Sequence, residues 1–317
     1  MGRLRIFLLL LFMICFNSSV LLADITPFVI SVDHTATGGG RWYSIGNILD
    51  GSDLNLLSGP VGLGIEDASL TACLMNAYDG VHGIAVDGLP FANPDGDVKL
   101  ISNVTGMTMI SDTGTLSGLD INLQYFFHAT SPAVRILATF ANSTGSDISA
   151  TVRYGGNVGS DEQTTIVATS SGDTTLNASD RWSISDDDKP DDGTPANAFV
   201  YYGPGSPTVT PANVNSDKDK FYADYNINVA AGSSQSLMWF GAISGSRDCA
   251  LAFVGKFDSN ISLMASGLLD GLKSSELYSV INWDIEPTSP PIPVPGTFVL
   301  GIIGIGLVTI IRRRMII

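Results

Sequence analysis

The chain has 317 residues, with 31 acidic side chains against 16 basic ones and a formal net charge of −15. Such an acidic balance argues against nucleic acid and against anionic membrane surfaces as partners. The acids are 27 Asp and only four Glu. Asp favours turns and caps while Glu favours helix interiors, so the imbalance predicts strands and loops. The length allows one large domain or two smaller ones, and the lack of a strong repeat or long linker before Pro287 favours one.

Residues 1–23 carry a basic start (Arg3, Arg5), an apolar run from Ile6 to Phe16 and a small residue, Ala23, before Asp24. That order predicts a secretory signal peptide, to be set aside from fold reasoning. Five of the basic residues lie in the two apolar ends, so the stretch between carries an excess of twenty acids.

Residues 24–286 are expected to form one all-β ectodomain, a large antiparallel β-sandwich with a short helical patch near its end. Early strands are expected at Phe28–Val32, Trp42–Leu49 and Leu70–Asn76. Ile84–Val86 and Leu89–Phe91 flank Asp87-Gly88, which suits a type I′ hairpin turn, and Pro90 confines its strand to an edge or a bulge. Asn93-Pro94-Asp95-Gly96-Asp97 forms a further turn.

The clearest alternation is central. Ile121, Leu123, Tyr125 and Phe127 alternate with polar residues, although Phe126 breaks the pattern. Val134, Ile136, Ala138 and Phe140 repeat it, and so do Ile148, Ala150, Val152 and Tyr154 after a polar turn at 142–146. Tyr225, Ile227 and Val229 do the same before the turn at 231–234 leads into Leu237–Ile243. Period-two runs separated by polar turns predict antiparallel strands with one buried face, a succession that belongs to a sandwich. Leu263, Met264, Leu268, Leu269 and Leu272 are spaced for one face of an interrupted helix, with Ser274 capping another turn, together a lid on the sandwich end.

Candidate chemistry is sparse. Cys73 and Cys249 are the cysteines left after export, and an oxidising compartment permits one bridge between them or two buried thiols. His34, His82 and His128 show no metal-ligand spacing, and no nucleophile elbow is present. Asp186, Asp187, Asp188, Asp191 and Asp192 form the densest acidic loop, either a calcium site or a solvated, self-repelling loop. Asn93, Asp95 and Asp97 form a weaker second cluster. Trp42 and Trp182, each beside an arginine, are the candidates for an aromatic surface, while Trp239 reads as core. Four Asn-x-Ser/Thr triplets, at Asn103, Asn142, Asn177 and Asn260, read as composition. No cofactor is required, calcium being the one ion suggested, and no catalytic constellation emerges. The chain is therefore expected not to be an enzyme.

The end of the chain is the most specific stretch. A Pro-rich linker, 287–297, runs into residues 298–311, which hold no charge and end at Arg312, Arg313 and Arg314 in a basic tail, 312–317. A helix over 298–311 is roughly 21 Å long against a hydrocarbon core of about 30 Å, a short span. Basic residues beside a span favour the cytoplasmic side, which puts the bulk of the chain outside.

A short proline motif (Ile292, Pro293, Val294, Pro295, then Gly296 and Thr297), an apolar helix and terminal arginines together resemble a PEP-CTERM sorting signal. Val294 stands where that family has glutamate. The resemblance implies an exosortase-type processing enzyme as partner, a Gram-negative envelope and a setting of extracellular polysaccharide. Residues 134–182 and 279–284 also resemble, loosely, extracellular bacterial β-sandwich domains of unassigned function. The reading from sequence is thus an exported cell-surface or matrix protein, structural or adhesive. A calcium-aided carbohydrate-binding module comes second and an extracellular hydrolase third.

Overall fold

The computed structural model describes residues 28–34, 39–49, 62–70, 74–187 and 194–285. The expected leader, sorting motif, apolar tail and basic end lie outside the described residues, and no helix among these is long and apolar enough to cross a membrane.

The chain is mostly β. Strands β1 to β5 are Phe28–His34, Gly39–Leu49, Gly62–Leu70, Gly83–Val86 and Leu89–Pro90. Strands β6 to β11 are Val98–Asn103, Gly106–Ser111, Gly114–Leu116, Leu119–His128, Ala133–Ala141 and Ile148–Asn157. Strands β12 to β17 are Thr165–Thr169, Trp182–Asp186, Ala196–Val200, Asn213–Asp217, Lys220–Val229 and Ser234–Ser244. Three short helices follow: α1 Arg247–Val254, α2 Asn260–Ala265 and α3 Ser274–Ser279.

Among the described residues every strand pairing is antiparallel. One sheet has the order β15-β16-β11-β4-β5; a nine-stranded sheet has the order β12-β13-β14-β17-β10-β9-β7-β6, with β8 on β9; β1-β2-β3 form a third. The first two face each other across the main core. Val152 and Tyr154 from β11, with Phe221 and Tyr225 from β16, meet Ile136 from β10 and Trp239 from β17 there.

The nine-stranded sheet is covered on both faces. Alternate residues Leu137, Met238, Phe240 and Ala198 point away from the main core into a second cluster with Phe253, Phe257, Leu263 and Trp283 from the helical layer. Strands buried on both faces read as continuous apolar runs rather than alternations, hence Leu237–Ile243. The same geometry accounts for Phe126. Its ring lies under the Arg135 guanidinium, 4.7 Å from the centroid. Arg135 is buried and its Nη1 donates to the carbonyls of Leu268 and Asp270 at 2.7 and 2.9 Å, tying the 266–272 segment to the sheet. Burial lowers its pKa to about 9, against the pull of Glu276 and Asp270.

Two polar turns carry the chain from one sheet to the other, and Asn142 clips them together. Its backbone N–H donates to Ser233 O at 2.9 Å, its Nδ2 to Ser146 O at 2.8 Å and Val229 O at 2.9 Å, and its Oδ1 accepts from Thr144 N and Oγ1. Asn142→Ala leaves the buried Val229 carbonyl without its side-chain donor and unties the 142–146 turn, and is expected to cost about 2 kcal/mol, roughly 4–8 °C of melting temperature in a thermal scan.

The Asp87-Gly88 turn is as expected, with φ of +48° and +86° at its two central residues, and β5 with Pro90 is a sheet edge. Three expectations are corrected. The strand placed at Leu70–Asn76 is instead Gly62–Leu70, and residues 75–77 are irregular. Polar Glu66 and Asp67 mask a strand whose flanks are buried. The leucine series 263–272 is not one helical face: α2 stops at Ala265, and Gly267 and Gly271 take φ of +76° and +80°. Those angles break a helix. Its residues cover the outer face of the nine-stranded sheet rather than the sandwich end. Finally, Ser274 does not cap α3. Lys273 is the N-cap, with its N–H donating to Glu276 Oε2 at 2.7 Å.

Candidate functional site

The outward face of the five-stranded sheet is the candidate site. Alternation on β11 sends Ser149, Thr151 and Arg153 outward, while the register sets Asn228, Asn226 and Asp224 of β16 directly opposite. Ser149 Oγ donates to Asn228 Oδ1 at 2.9 Å and Thr151 Oγ1 to Asn226 Oδ1 at 3.2 Å. Arg153 Nε and Nη2 grip Asp224 Oδ1 and Oδ2 at 2.6 and 2.7 Å, and the guanidinium lies 3.9 Å over the Tyr222 ring. The close approach of β11 to β16 depends on Gly155, where a Cβ would overlap the Phe221 carbonyl. Asp87, at the hairpin turn beside them, accepts from Thr151 N at 2.9 Å.

Asp87, Ser149, Ala150, Thr151, Asn226, Ile227 and Asn228 line a shallow, open concavity of about 400 Å³. Its chemistry is that of hydroxyls, planar amides and the one carboxylate of Asp87. Cross-strand bonds use the Oδ1 atoms of Asn226 and Asn228, and among the described residues no acceptor stands at their Nδ2 groups. Arg153 and Asp224 neutralise each other. With Asp87 as the carboxylate of the concavity and Arg153 paired to Asp224, the face is suited to a polyhydroxylated ligand rather than a polyanion.

The residues singled out from sequence are dispersed. Asp186 Oδ2 accepts from Arg247 Nε at 2.5 Å, and Asp187 Oδ2 accepts from Thr194 Oγ1 at 2.6 Å. Burial raises the pKa of Asp186, outweighing the pull of Arg247. Asp188, Asp191 and Asp192 lie outside the described residues, and among those described no cluster is suited to a metal ion. Asn93 is buried and spans the turn, its Nδ2 donating to Asp97 O at 2.6 Å and its Oδ1 accepting from Asp112 N. Cys249 is exposed on α1 with no disulfide among the described residues, which do not include Cys73. Trp239 is core, as expected. Trp182 is half-buried against the outer cluster with its Nε1 enclosed, so it is not the exposed aromatic surface anticipated.

His82 is wholly buried, its Nδ1 2.6 Å from Tyr154 Oη and its Nε2 3.3 Å from Tyr78 Oη. A ring sealed in this way cannot meet a substrate, and its role is in the core. Three of the four Asn-x-Ser/Thr triplets share one arrangement, in which Asn103, Asn142 and Asn177 each accept from the N–H and the hydroxyl two residues on. Turn formation therefore explains the recurrence of the pattern.

Ser149, Thr151, Asn226 and Asn228 were not singled out from sequence. The signal was the spacing Asn226-x-Asn228 within an alternating strand, which by itself gives only solvent exposure.

No protein-family model matches the chain, and no curated protein is similar to it in sequence. Several solved structures show a partial likeness to it, each with a TM-score below 0.45. The Slr1438 protein of Synechocystis sp. PCC 6803 is 11% identical, with 71% of this chain and 98% of that one covered and a TM-score of 0.43. A "putative aldose 1-epimerase" from Klebsiella pneumoniae is 9% identical, with 83% and 95% covered and a TM-score of 0.42. An α-galactosidase from Lactobacillus brevis is 9% identical, with 70% and 40% covered and a TM-score of 0.42. An Escherichia coli neighbour carries the same epimerase description. The sequence-based expectation that the chain is not an enzyme is withdrawn on this finding, since two of these neighbours carry an enzyme's description.

Proposed function

We propose that the protein is exported, anchored in the membrane through its C-terminal apolar segment until an exosortase-type enzyme processes it, and that its sandwich binds extracellular polysaccharide. Binding takes place on the outward face of the five-stranded sheet. The single observation that supports this reading is the neutral array of Ser149, Thr151, Asn226 and Asn228 around an open concavity. Sugar hydroxyls donate and accept in the same geometry as the side-chain amides and hydroxyls that face them. The leader and the Ile292–Thr297 motif with Arg312, Arg313 and Arg314 support the export half of the proposal.

A glycan array probed with the full chain tests the binding half. Replacing Asn226 and Asn228 together by Ala is expected to weaken glycan binding about tenfold or more, two lost hydrogen bonds of about 1 kcal/mol each, while leaving the melting temperature nearly unchanged. Binding is expected to persist in EDTA, because the face holds no carboxylate cluster. If no glycan is bound, or the double variant binds as well as the parent, the site assignment is wrong.

The export half has its own measurement. Co-expression with an exosortase is expected to shorten the chain by the mass of its tail. Replacing Arg312, Arg313 and Arg314 by Ala is expected to abolish that shortening, and a mass unchanged by the enzyme would discard the sorting proposal.

A further inference from the structure

The helical layer carries an apolar outer side that the core does not use. On α1, Ala250, Phe253 and Val254 point into the outer cluster while Leu251 is 44% exposed. On α2, Leu263 points inward while Ile261 is 80% exposed and Met264 is 39% exposed. Tyr278 on α3 is 66% exposed. Scattered single exposed apolar residues are ordinary, but these belong to one layer on one side of the sandwich.

The chain departs beside this patch. Asn260, the first residue of α2, donates from its Nδ2 to the carbonyl of Asp284, and Ile285 packs into the outer cluster. The departing strand of chain is therefore fixed next to Ile261. Twelve residues separate Ile285 from the apolar segment beginning at Phe298. Fully extended they span about 40 Å, so the layer from which they leave stays near whatever holds the tail.

Charge agrees with the same occupant. Residues 247–279 carry three basic and four acidic side chains, whereas the whole stretch between the two apolar ends has twenty more acids than bases. The helical layer thus carries little net charge, and a phospholipid surface repels it far less than it repels the acidic molecule as a whole.

We propose that this layer rests on the outer leaflet of the membrane that holds the tail, with Ile261, Leu251, Met264 and Tyr278 entering the headgroup region. The occupant is the lipid surface itself. Interfacial contact of this kind needs an apolar side, little net charge and proximity, and each is present here. The polar face of the five-stranded sheet, on the opposite side of the sandwich, then points away from the membrane, where a polysaccharide would meet it. The inference rests on the tail anchoring proposed above.

The test uses the full chain in vesicles of phosphatidylethanolamine with a minority of phosphatidylglycerol. Cys15, Cys73 and Cys249 are replaced by Ser, and a fluorophore is attached in Ile261→Cys or in Ser149→Cys on the opposite face. With quencher-bearing lipids, the label at 261 is expected to be quenched several-fold more than the label at 149. Hydrogen exchange on the unmodified chain gives a second readout, with residues 247–265 expected to be slowed in vesicles relative to detergent. Equal quenching at both sites and unchanged exchange, while the chain still resists carbonate extraction, overturns this inference and leaves the anchoring standing. Such a result would leave a protein partner as the patch's occupant. Release by carbonate overturns both.

Discussion

Acidification is expected to destabilise the fold through His82. Burial lowers its pKa to about 3, while in the unfolded chain the imidazole titrates near 6.5. A base whose folded pKa is depressed leaves the unfolded state holding the extra proton between those values. Stability is therefore intact above about pH 6.5 and falls as the pH drops toward 3. The slope is about 1.4 kcal/mol per pH unit, so at the acid end of the window the loss is about 5 kcal/mol, a third or more of a typical folding free energy.

The physical cause is specific. The ring sits between Tyr78 and Tyr154, both hydroxyls within hydrogen-bonding reach, with no carboxylate among the described residues beside it to pair with an imidazolium. Three aspartates act in the opposite direction. Burial raises the pKa of Asp67, Asp79 and Asp186, so each adds stability as the pH falls through its folded value. These groups are only partly enclosed and the imidazole is fully so, and His82 is expected to dominate. Urea unfolding of the full chain in mild detergent across the window measures this. In His82→Gln the acid limb should flatten by about one proton's worth of slope, although the variant is weaker at neutral pH. A parent and variant with parallel pH profiles would show that another group sets the acid limit.

The second large effect is at Trp239. Its indole stacks on Tyr154 at 4.5 Å with 2° between the planes, and its Nε1 donates to Tyr225 Oη at 3.0 Å. Tyr225 in turn donates to Tyr201 O at 2.7 Å, so one indole joins β17 to the facing sheet through both its surface and its N–H. Trp239→Ala removes the largest fully buried side chain of the core and is expected to cost about 4 kcal/mol. Trp239→Phe keeps much of the surface and loses the hydrogen bond, for about 1–2 kcal/mol. Chemical denaturation of the two variants separates packing from bonding. Equal losses would mean that the hydrogen-bond chain, rather than the stacked surface, holds the sheets together.

The hairpin at Asp87-Gly88 was legible because its two residues take positive φ, a local requirement that sequence states directly. The alternations at 121–127, 148–154 and 225–229 were legible for a similar reason, since the period belongs to a single strand. What no single strand reveals is its partner. Ile148 pairs with Val229, and Ser149 with Asn228, across some eighty intervening residues. A polar residue on an alternating strand declares only that it faces outward. Whether it faces another polar residue, and so helps to build a site, depends on register. For this reason Ser149, Thr151, Asn226 and Asn228 went unnoticed as a group.

Asp186 and Asp187 show the reverse case. Five close acids suggested either a calcium site or a solvated loop; of the two described, Asp186 accepts from Arg247 in the helical layer and Asp187 from Thr194, partners that no local pattern announces. By itself the sequence determined that this is an acidic, all-β chain with alternating strands between two apolar ends, because composition and period-two patterning are local properties of the chain. Only the tertiary structure decided which strands share a sheet, which face the helices cover and which polar face stays open, because those outcomes come from pairings between residues far apart in sequence.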